Sequence, residues 1–473
     1  MDPVKMKRTV QVEASDAHEE YRVYPRRWLI LLSVSLLNFS NAVNWVNFAP
    51  IANLTSGFFS TSLSNVNMLA IVYMIVSIPV GFVVCWLLDS IGLVGGLWTG
   101  AALNALGSVL RLIAAMHGEK FWLLMLGQSL CGIAQPFGLF PPTKVAAVWF
   151  ANDQRALANM LASMANPVGI AVGMLIPPFI VHSQNVESGM IKLLWICVIP
   201  AGLNVLCTLS VTRNTPPTPP SMSAEEESEP FWRGLKKLVR NGQYRFLLFA
   251  WGIGLGVFNV LVTLLQQFLC PWGYEDRVAG VAGGVMCLTG LLGSGVTSVY
   301  VDKTKKFVLA LKVCYVGAAV GLTWFAMVSS LRDQTALIYA SLAFFGFFGY
   351  GLLPVALELS VECTYPVAEA TSAGVMWLAG QVTGILLVII AQLPILQSPL
   401  TSEDAKYSKC AIAGNSTAST SDAAGVDMTN AALMVATVAV VTVVFFVPCF
   451  RSPYRRVAAE SGVSLDEPLE AHF

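Results

Sequence analysis

Long apolar runs alternate with short polar ones along most of the chain. Twelve runs stand out, at 28–52, 66–88, 93–116, 121–142, 156–181, 193–211, 246–270, 278–301, 307–331, 336–357, 370–393 and 428–450. Each holds 19 to 26 residues, and about 20 apolar residues cross a bilayer as a helix. A transmembrane β-barrel would show alternating segments of roughly ten residues instead. The pattern predicts an all-α membrane protein with twelve transmembrane helices. The first run follows 27 hydrophilic residues and has no small-residue cleavage site, so it reads as a retained helix rather than a signal peptide.

Charge sharpens this picture. The chain has 28 Lys and Arg and 28 Asp and Glu, and only Arg111 and Lys312 lie inside the runs. Charged residues make up 12%, against about 25% in soluble domains. Hydrophobic residues reach 55%, and the mean hydropathy is +0.66. A soluble enzyme, a disordered chain and a nucleic-acid partner are excluded. Twenty Lys and Arg fall in the N-terminal tail, the 4–5 turn, the central loop, the 8–9 turn and the C-terminal tail. Six fall on the other side, Lys120, Lys192, Arg277, Arg332, Lys406 and Lys409. The positive-inside rule therefore places both termini and the central loop in the cytoplasm.

The polar stretch 212–245 divides the runs into six and six. It contains Thr215–Pro220, rich in proline, an acidic run Glu225–Glu229 and a basic amphipathic stretch Phe231–Arg240. The first two read as linker. The third reads either as a helix on the inner membrane surface or as a solvated loop. The predicted organisation is a cytoplasmic tail 1–27, a six-helix bundle 28–211, a cytoplasmic linker 212–245, a second six-helix bundle 246–450 and a cytoplasmic tail 451–473. The halves look like repeats. Asp89 and Asp302 end runs 2 and 8 at an offset of 213, and Trp45 and Phe258 share that offset. Pro142 and Pro354, near the ends of runs 4 and 10, are 212 apart. A constant offset with matching helix number points to a duplicated transporter with a central cavity between its pseudo-symmetric halves. Asp89, Asp302, Pro142 and Pro354 are its candidate structural or gating positions. Pro136, Pro141, Pro142, Pro167, Pro177 and Pro354 are expected to interrupt their helices.

Polar residues inside the membrane cost free energy unless paired or facing a cavity. Positions three, four and seven apart share a helix face. Asn38, Asn41 and Trp45 form one stripe in run 1, with Asn44 and Asn47 beside it. Run 7 carries Gly252, Gly256, Asn259, Thr263 and Gln266, and run 5 carries Asn159, Ser163 and Asn166. Run 11 carries Trp377, Gln381 and Gly384, and run 4 adds Gln128 and Gln135. Candidate substrate-binding residues are Asn41, Trp45, Gln135, Asn166, Asn259, Thr263, Trp377 and Gln381. Each amide reads equally as glue between helices. Trp45 lies eighteen residues into its run, below the end where interfacial Trp gathers. No Asp or Glu lies within the runs, so facilitated transport fits better than proton coupling. Arg111 and Lys144 are expected to snorkel to an interface. Glycines in run 8 permit close helix approach.

Other chemistry has little support. The ten cysteines include no C-x-x-C pair, and all four histidines lie outside the runs. No catalytic residue, metal or cofactor is expected. Cys270 and Cys410 both fall on the outer side, where a disulfide is one possibility. Asn415-Ser-Thr417 and Asn53-Leu-Thr55 are glycosylation acceptors, and Asn415 in the long 11–12 loop is the predicted glycan site.

The run 2–3 turn, Gly81…Asp89-Ser-Ile-Gly92, resembles the major facilitator superfamily signature without its basic doublet. A fuller resemblance covers the membrane part. Tyr21-Arg-Val-Tyr-Pro-Arg-Arg-Trp28, Ser40-Asn-Ala-Val-Asn-Trp45, Gly127-Gln-Ser-Leu-Cys131, Ala165-Asn-Pro-Val-Gly169 and Gly380-Gln-Val-Thr-Gly384 are similar to the feline leukaemia virus subgroup C receptor-related solute carriers, solute carrier family 49. The resemblance implies the major facilitator fold and transport of choline, ethanolamine or haem. Choline-carrying relatives hold the quaternary ammonium between a helix 1 Trp and a helix 7 Tyr, with glutamines from helices 5 and 11. Those positions are Trp45, Asn259, Pro167 and Gln381 here, so half of that cage is replaced.

The expected function is therefore facilitative transport of a small polar or weakly cationic organic metabolite by alternating access. The competing readings are the relatives' choline, ethanolamine or haem, a non-transporting receptor or scaffold, and an ion channel, for which no charge ring or filter-like loop is visible. The expected partners are the small-molecule substrate and the lipid bilayer. The chain is expected to be a monomer at the plasma membrane, with the endolysosomal membrane as the alternative.

Overall fold

The computed structural model describes residues 22–90, 92–117, 120–218, 231–365, 367, 369–400, 404, 406–410 and 426–452. Twelve helices among them are long and apolar enough to cross a membrane. They are α1 (Arg26–Val46), α2 (Leu63–Ser90), α3 (Leu93–Met116), α4 (Phe121–Leu139), α5 (Asn152–Leu175), α6 (Val186–Leu209), α7 (Gly242–Leu269), α8 (Asp276–Thr304), α9 (Phe307–Val328), α10 (Thr335–Thr364), α11 (Glu369–Ala391) and α12 (Thr429–Cys449). They form two six-helix bundles. The outward-facing side chains are large and apolar, such as Leu206, Leu292 and Phe445. The buried set includes Asn, Gln, Ser and Arg. That inversion suits a hydrocarbon surrounding, where polar groups must be satisfied inside.

Some predicted segments change at their ends. The first run breaks after Val46, turns through a 3-10 segment Ala49–Ile51 and resumes as a short helix Ala52–Phe58. Pro50 lacks an N–H, so the ladder cannot continue through it. Helix α6 begins seven residues before its apolar run, and α10 ends seven residues beyond its own. Helices extend past the apolar core wherever their backbone bonds are satisfied, even where Glu and Lys appear. Pro136, Pro167 and Pro354 lie inside α4, α5 and α10, which run on through them, so these three do not interrupt a helix. Pro141, Pro142 and Pro177 do mark breaks, since α4 stops at Leu139 and α5 at Leu175. They occupy the first turns of short helices Pro141–Trp149 and Pro177–Ile180, where a missing N–H costs nothing.

Glycine sets the closest approaches. A side chain on Gly293 of α8 would collide with the Phe347 backbone of α10, and one on Gly346 of α10 with Met286 of α8. Between the bundles, Gly280 and Gly283 of α8 lie against Met174 at the end of α5. The basic stretch Phe231–Arg240 is helical. It buries Leu238 against the second bundle and leaves Trp232 exposed. At the end opposite the termini, Cys270 is joined to Cys410 by a disulfide. Arg332 pairs there with Asp404 and lies 4.3 Å from the Tyr407 ring. Asp89 and Asp302 fall near the ends of α2 and α8, but their side chains are outside the described set, as is Asn415.

Candidate functional site

A cavity of about 110 Å³ lies between the bundles. Helices α1, α4 and α5 bring Trp45, Gln135 and Asn166 to it, and α7 and α11 bring Asn259, Trp377 and Gln381. Six of the eight residues expected to bind substrate thus share one cavity. Gln381 Nε2 donates to Gln135 Oε1 at 3.3 Å and joins the bundles across its centre. The indole N–H groups of Trp45 and Trp251 have no hydrogen-bond partner among the described residues. No Asp, Glu, Lys or Arg lines the cavity among those residues.

Two expected residues lie elsewhere. Asn41 Nδ2 donates to Asn104 Oδ1 at 3.0 Å and to the Cys131 carbonyl at 2.7 Å, inside the first bundle. Thr263 is buried on α7, its hydroxyl without a partner among the described residues. The stripe holding Asn41 and Trp45 is therefore split: Trp45 reaches the cavity while Asn41 packs against α3 and α4. Asn259 is also constrained. Its Nδ2 lies 3.5 Å from Met74 Sδ, and Gly384 leaves the space that its amide fills.

Asn41 belongs to a buried polar network centred on Arg111. Arg111 does not snorkel; it is fully buried. Its guanidinium donates to Asn44 Oδ1 at 2.6 Å and Asn47 Oδ1 at 2.7 Å, and it lies 4.9 Å from the Phe48 ring. Asn44 Nδ2 in turn donates to Ser108 at 2.7 Å. Gln128 Nε2 donates to the Asn44 carbonyl at 3.3 Å, at the end of α1 where the helical ladder stops. Amide oxygens oriented by α1 stabilise a cation that has no carboxylate partner among the described residues. Lys144, by contrast, is half-buried and donates to the Leu88 carbonyl near the end of α2.

A second amide cluster joins the bundles at the end opposite the termini. Asn67 of α2 and Gln267 of α7 exchange hydrogen bonds of 3.1 and 2.6 Å, and Asn67 also donates to Gln392 at 2.6 Å. Near the termini, Gly81 and Cys85 of α2 touch Leu378 and Gly374 of α11. The halves thus meet at both ends of the cavity.

The sequence reading missed several lining residues. Trp251 packs edge-on against Trp377 with ring centroids 6.0 Å apart. It stands eight residues before Asn259, on the same helix face, so spacing carried a usable signal. Tyr315 on α9 and Tyr350 on α10 also line the cavity. Nothing in their spacing marks them, because their exposure depends on the gap between α7, α9 and α10.

Comparison with known proteins identifies the family and the fold. The major facilitator superfamily model matches residues 34–388. Solute carrier family 49 member A3 of Danio rerio is 40% identical over 461 residues, covering 96% of this chain and 93% of that protein. Its counterpart in Xenopus tropicalis is 37% identical with the same coverage. The choline/ethanolamine transporter FLVCR1 of Felis catus is 31% identical over 77% of this chain and 67% of its own length. Among solved structures, the xylose transporter XylE of E. coli, in a partially occluded inward-open conformation, aligns with a TM-score of 0.64 at 12% identity. That alignment covers 91% of this chain and 99% of that one. A bacterial homologue of the lysosomal transporter Spinster gives 0.63 at 14% identity, covering 90% and 97%. At such identities these two speak to the fold alone.

Proposed function

The chain belongs to the major facilitator superfamily and, within it, to solute carrier family 49, and on that footing we propose that this membrane transporter is a facilitative carrier for a small polar or weakly cationic metabolite. The observation that carries this reading is the uncharged cavity wall. Its amides, Gln135, Asn166, Asn259 and Gln381, and its indoles, Trp45, Trp251 and Trp377, supply donors, acceptors and aromatic faces. None of these groups binds and releases a proton near neutral pH, so the cavity has no coupling site of its own. Aromatic faces attract a cation without a formal counter-charge. The role given to the cavity is binding and carriage, with no enzymatic step.

A proteoliposome assay tests this. Saturable exchange of the substrate, driven only by its own gradient and unchanged by collapse of the proton gradient, is the expected result. Uptake that stops when the proton gradient is collapsed would refute the facilitative reading. A receptor or scaffold would show no saturable flux.

Choline or ethanolamine is the second reading, and the Trp251–Trp377 pair favours it. Asn259 stands where choline-carrying relatives have tyrosine, but this pair restores an aromatic wall on the same side of the cavity. The assay should therefore include both compounds.

The orientation proposed has both termini in the cytoplasm, and the protein acts as a monomer at the plasma membrane. A disulfide at Cys270–Cys410 supports an oxidising compartment around the 11–12 loop. Asn53, the second glycosylation acceptor, is buried, which leaves Asn415 as the site to test. Asn415→Gln is expected to remove a glycan-dependent gel shift from the cell-surface protein, and an unmodified native Asn415 would count against this orientation.

A further inference from the structure

The cavity does not stop at the seam between the bundles. It continues behind α7 into the second bundle, where α9, α10 and α12 close it. Small residues, Gly254, Ala318, Ala319 and Gly349, leave this arm open. A methyl group at Gly254 would meet nothing nearer than the Tyr315 ring at 3.6 Å. Two of the arm's polar side chains are satisfied within the protein. The Thr442 hydroxyl donates to the Val438 carbonyl at 2.7 Å, and the Tyr350 hydroxyl pairs with Cys287 Sγ at 3.4 Å. Apart from the Tyr315 hydroxyl, the arm offers hydrocarbon, and cavities of that character stay dry.

The arm also approaches the bilayer. An apolar groove runs down the outer face of the second bundle between α7 and α12, walled by Phe246, Phe249, Val441 and Phe445. Phe249 and Phe445 are 64% and 63% exposed. Ile253 and Thr442 line both the groove and the arm. Bilayer, arm and central cavity therefore meet across that single pair of side chains.

From this continuity we infer that the transported solute is a single-chain amphiphile. Its polar or weakly cationic head sits beside Trp45, Gln135 and Gln381, its alkyl chain lies in the arm, and the groove is the lateral opening to the bilayer. The head placement rests on the carrier function proposed above; the arm adds the chain. An apolar arm contributes nothing to a compact polar solute. For a chain it supplies burial that rises with each methylene until the arm is full.

The test uses the full-length protein in lipid nanodiscs and an alkyltrimethylammonium series from ethyl to dodecyl. Affinity is expected to rise about fourfold per methylene, the equivalent of about 0.8 kcal/mol, and then level off. Gly254→Leu and Ala319→Ile, on different helices, should each lower the decyl-to-ethyl affinity ratio at least tenfold. The ratio is taken within each variant, so a loss of folded protein does not change it. An unchanged ratio in both variants overturns the inference, because the chain dependence then reflects partition into the bilayer. Decyl probe that binds but does not cross proteoliposome membranes would assign the arm to a resident lipid chain and overturn the substrate assignment. If Trp45→Ala binds every probe normally while Gly254→Leu still lowers the ratio, the head placement fails and the arm stands.

Discussion

The two bundles share a fold and a repeat offset, yet each is organised around a different feature. The first bundle buries Arg111 with Asn41, Asn44, Asn47, Asn104 and Ser108 in a closed network of amide and hydroxyl groups. The second also buries amides and hydroxyls, such as Gln266, Gln267 and Ser360, but it opens into an arm lined by Tyr315, Ala318, Ala319 and Gly349. This network ties α1, α3 and α4 together, since breaking one of its bonds leaves a further buried group unpaired beside Arg111 Nε, Asn41 Oδ1 and Gln128 Oε1, which have no partner among the described residues. The arm carries no such network, and a methyl group at Gly254 or Gly349 would meet only ordinary contacts there. On the carrier reading proposed above, the first half would place Trp45 and the second would accommodate the solute.

The largest effect is expected at Arg111. Arg111→Met leaves Asn44 and Asn47 without their donor, at roughly 1–3 kcal/mol for each orphaned acceptor. Thermal unfolding in nanodiscs should show a loss of about 3 kcal/mol, with Arg111→Lys recovering part of it. Unchanged stability would end the claim that the network is a rigid frame. Trp45→Ala comes next. Transport should fall about tenfold or more, because a desolvated aromatic face contributes up to about 2 kcal/mol to a bound cation, while surface expression stays near normal. Collapse of expression would assign Trp45 to packing instead.

A pair of glycines contrasts the network with the arm directly. At Gly107, a methyl would press on Cys131 Sγ at 2.5 Å and the Gly127 carbonyl at 2.6 Å, so Gly107→Ala should cost about 1–3 kcal/mol. At Gly254 the same change meets only ordinary contact and should be neutral or stabilising by up to about 1 kcal/mol. Equal costs would erase the distinction. The smallest effect belongs to Asn259→Tyr. Adding an aromatic face should improve choline transport by about 0.5–2 kcal/mol in apparent affinity, measured as the ratio of kcat/KM values. Crowding by Met74 and Gly384 limits the gain. Robust choline uptake by the native protein, indifferent to this change, would show that the Trp251–Trp377 wall already completes the cage.

The helix number, the bundle architecture and the family were legible along the chain, because hydrophobic length and charge placement are one-dimensional quantities that the bilayer reads directly. Trp45, Asn259 and Gln381 were legible as well, since intramembrane polarity at helical spacing confines residues to a face. Which neighbour that face meets was not. Asn41 and Trp45 share a stripe, but α3 and α4 take the asparagine while the cavity takes the tryptophan. Arg111 looked like a side chain bound for the interface, because the asparagines that stabilise it lie more than sixty residues away on α1. The arm behind α7 has no signature at all in sequence. It is empty space left where Gly254, Ala318, Ala319 and Gly349 from three helices fail to fill a common volume, and absent volume is defined only once the helices are packed.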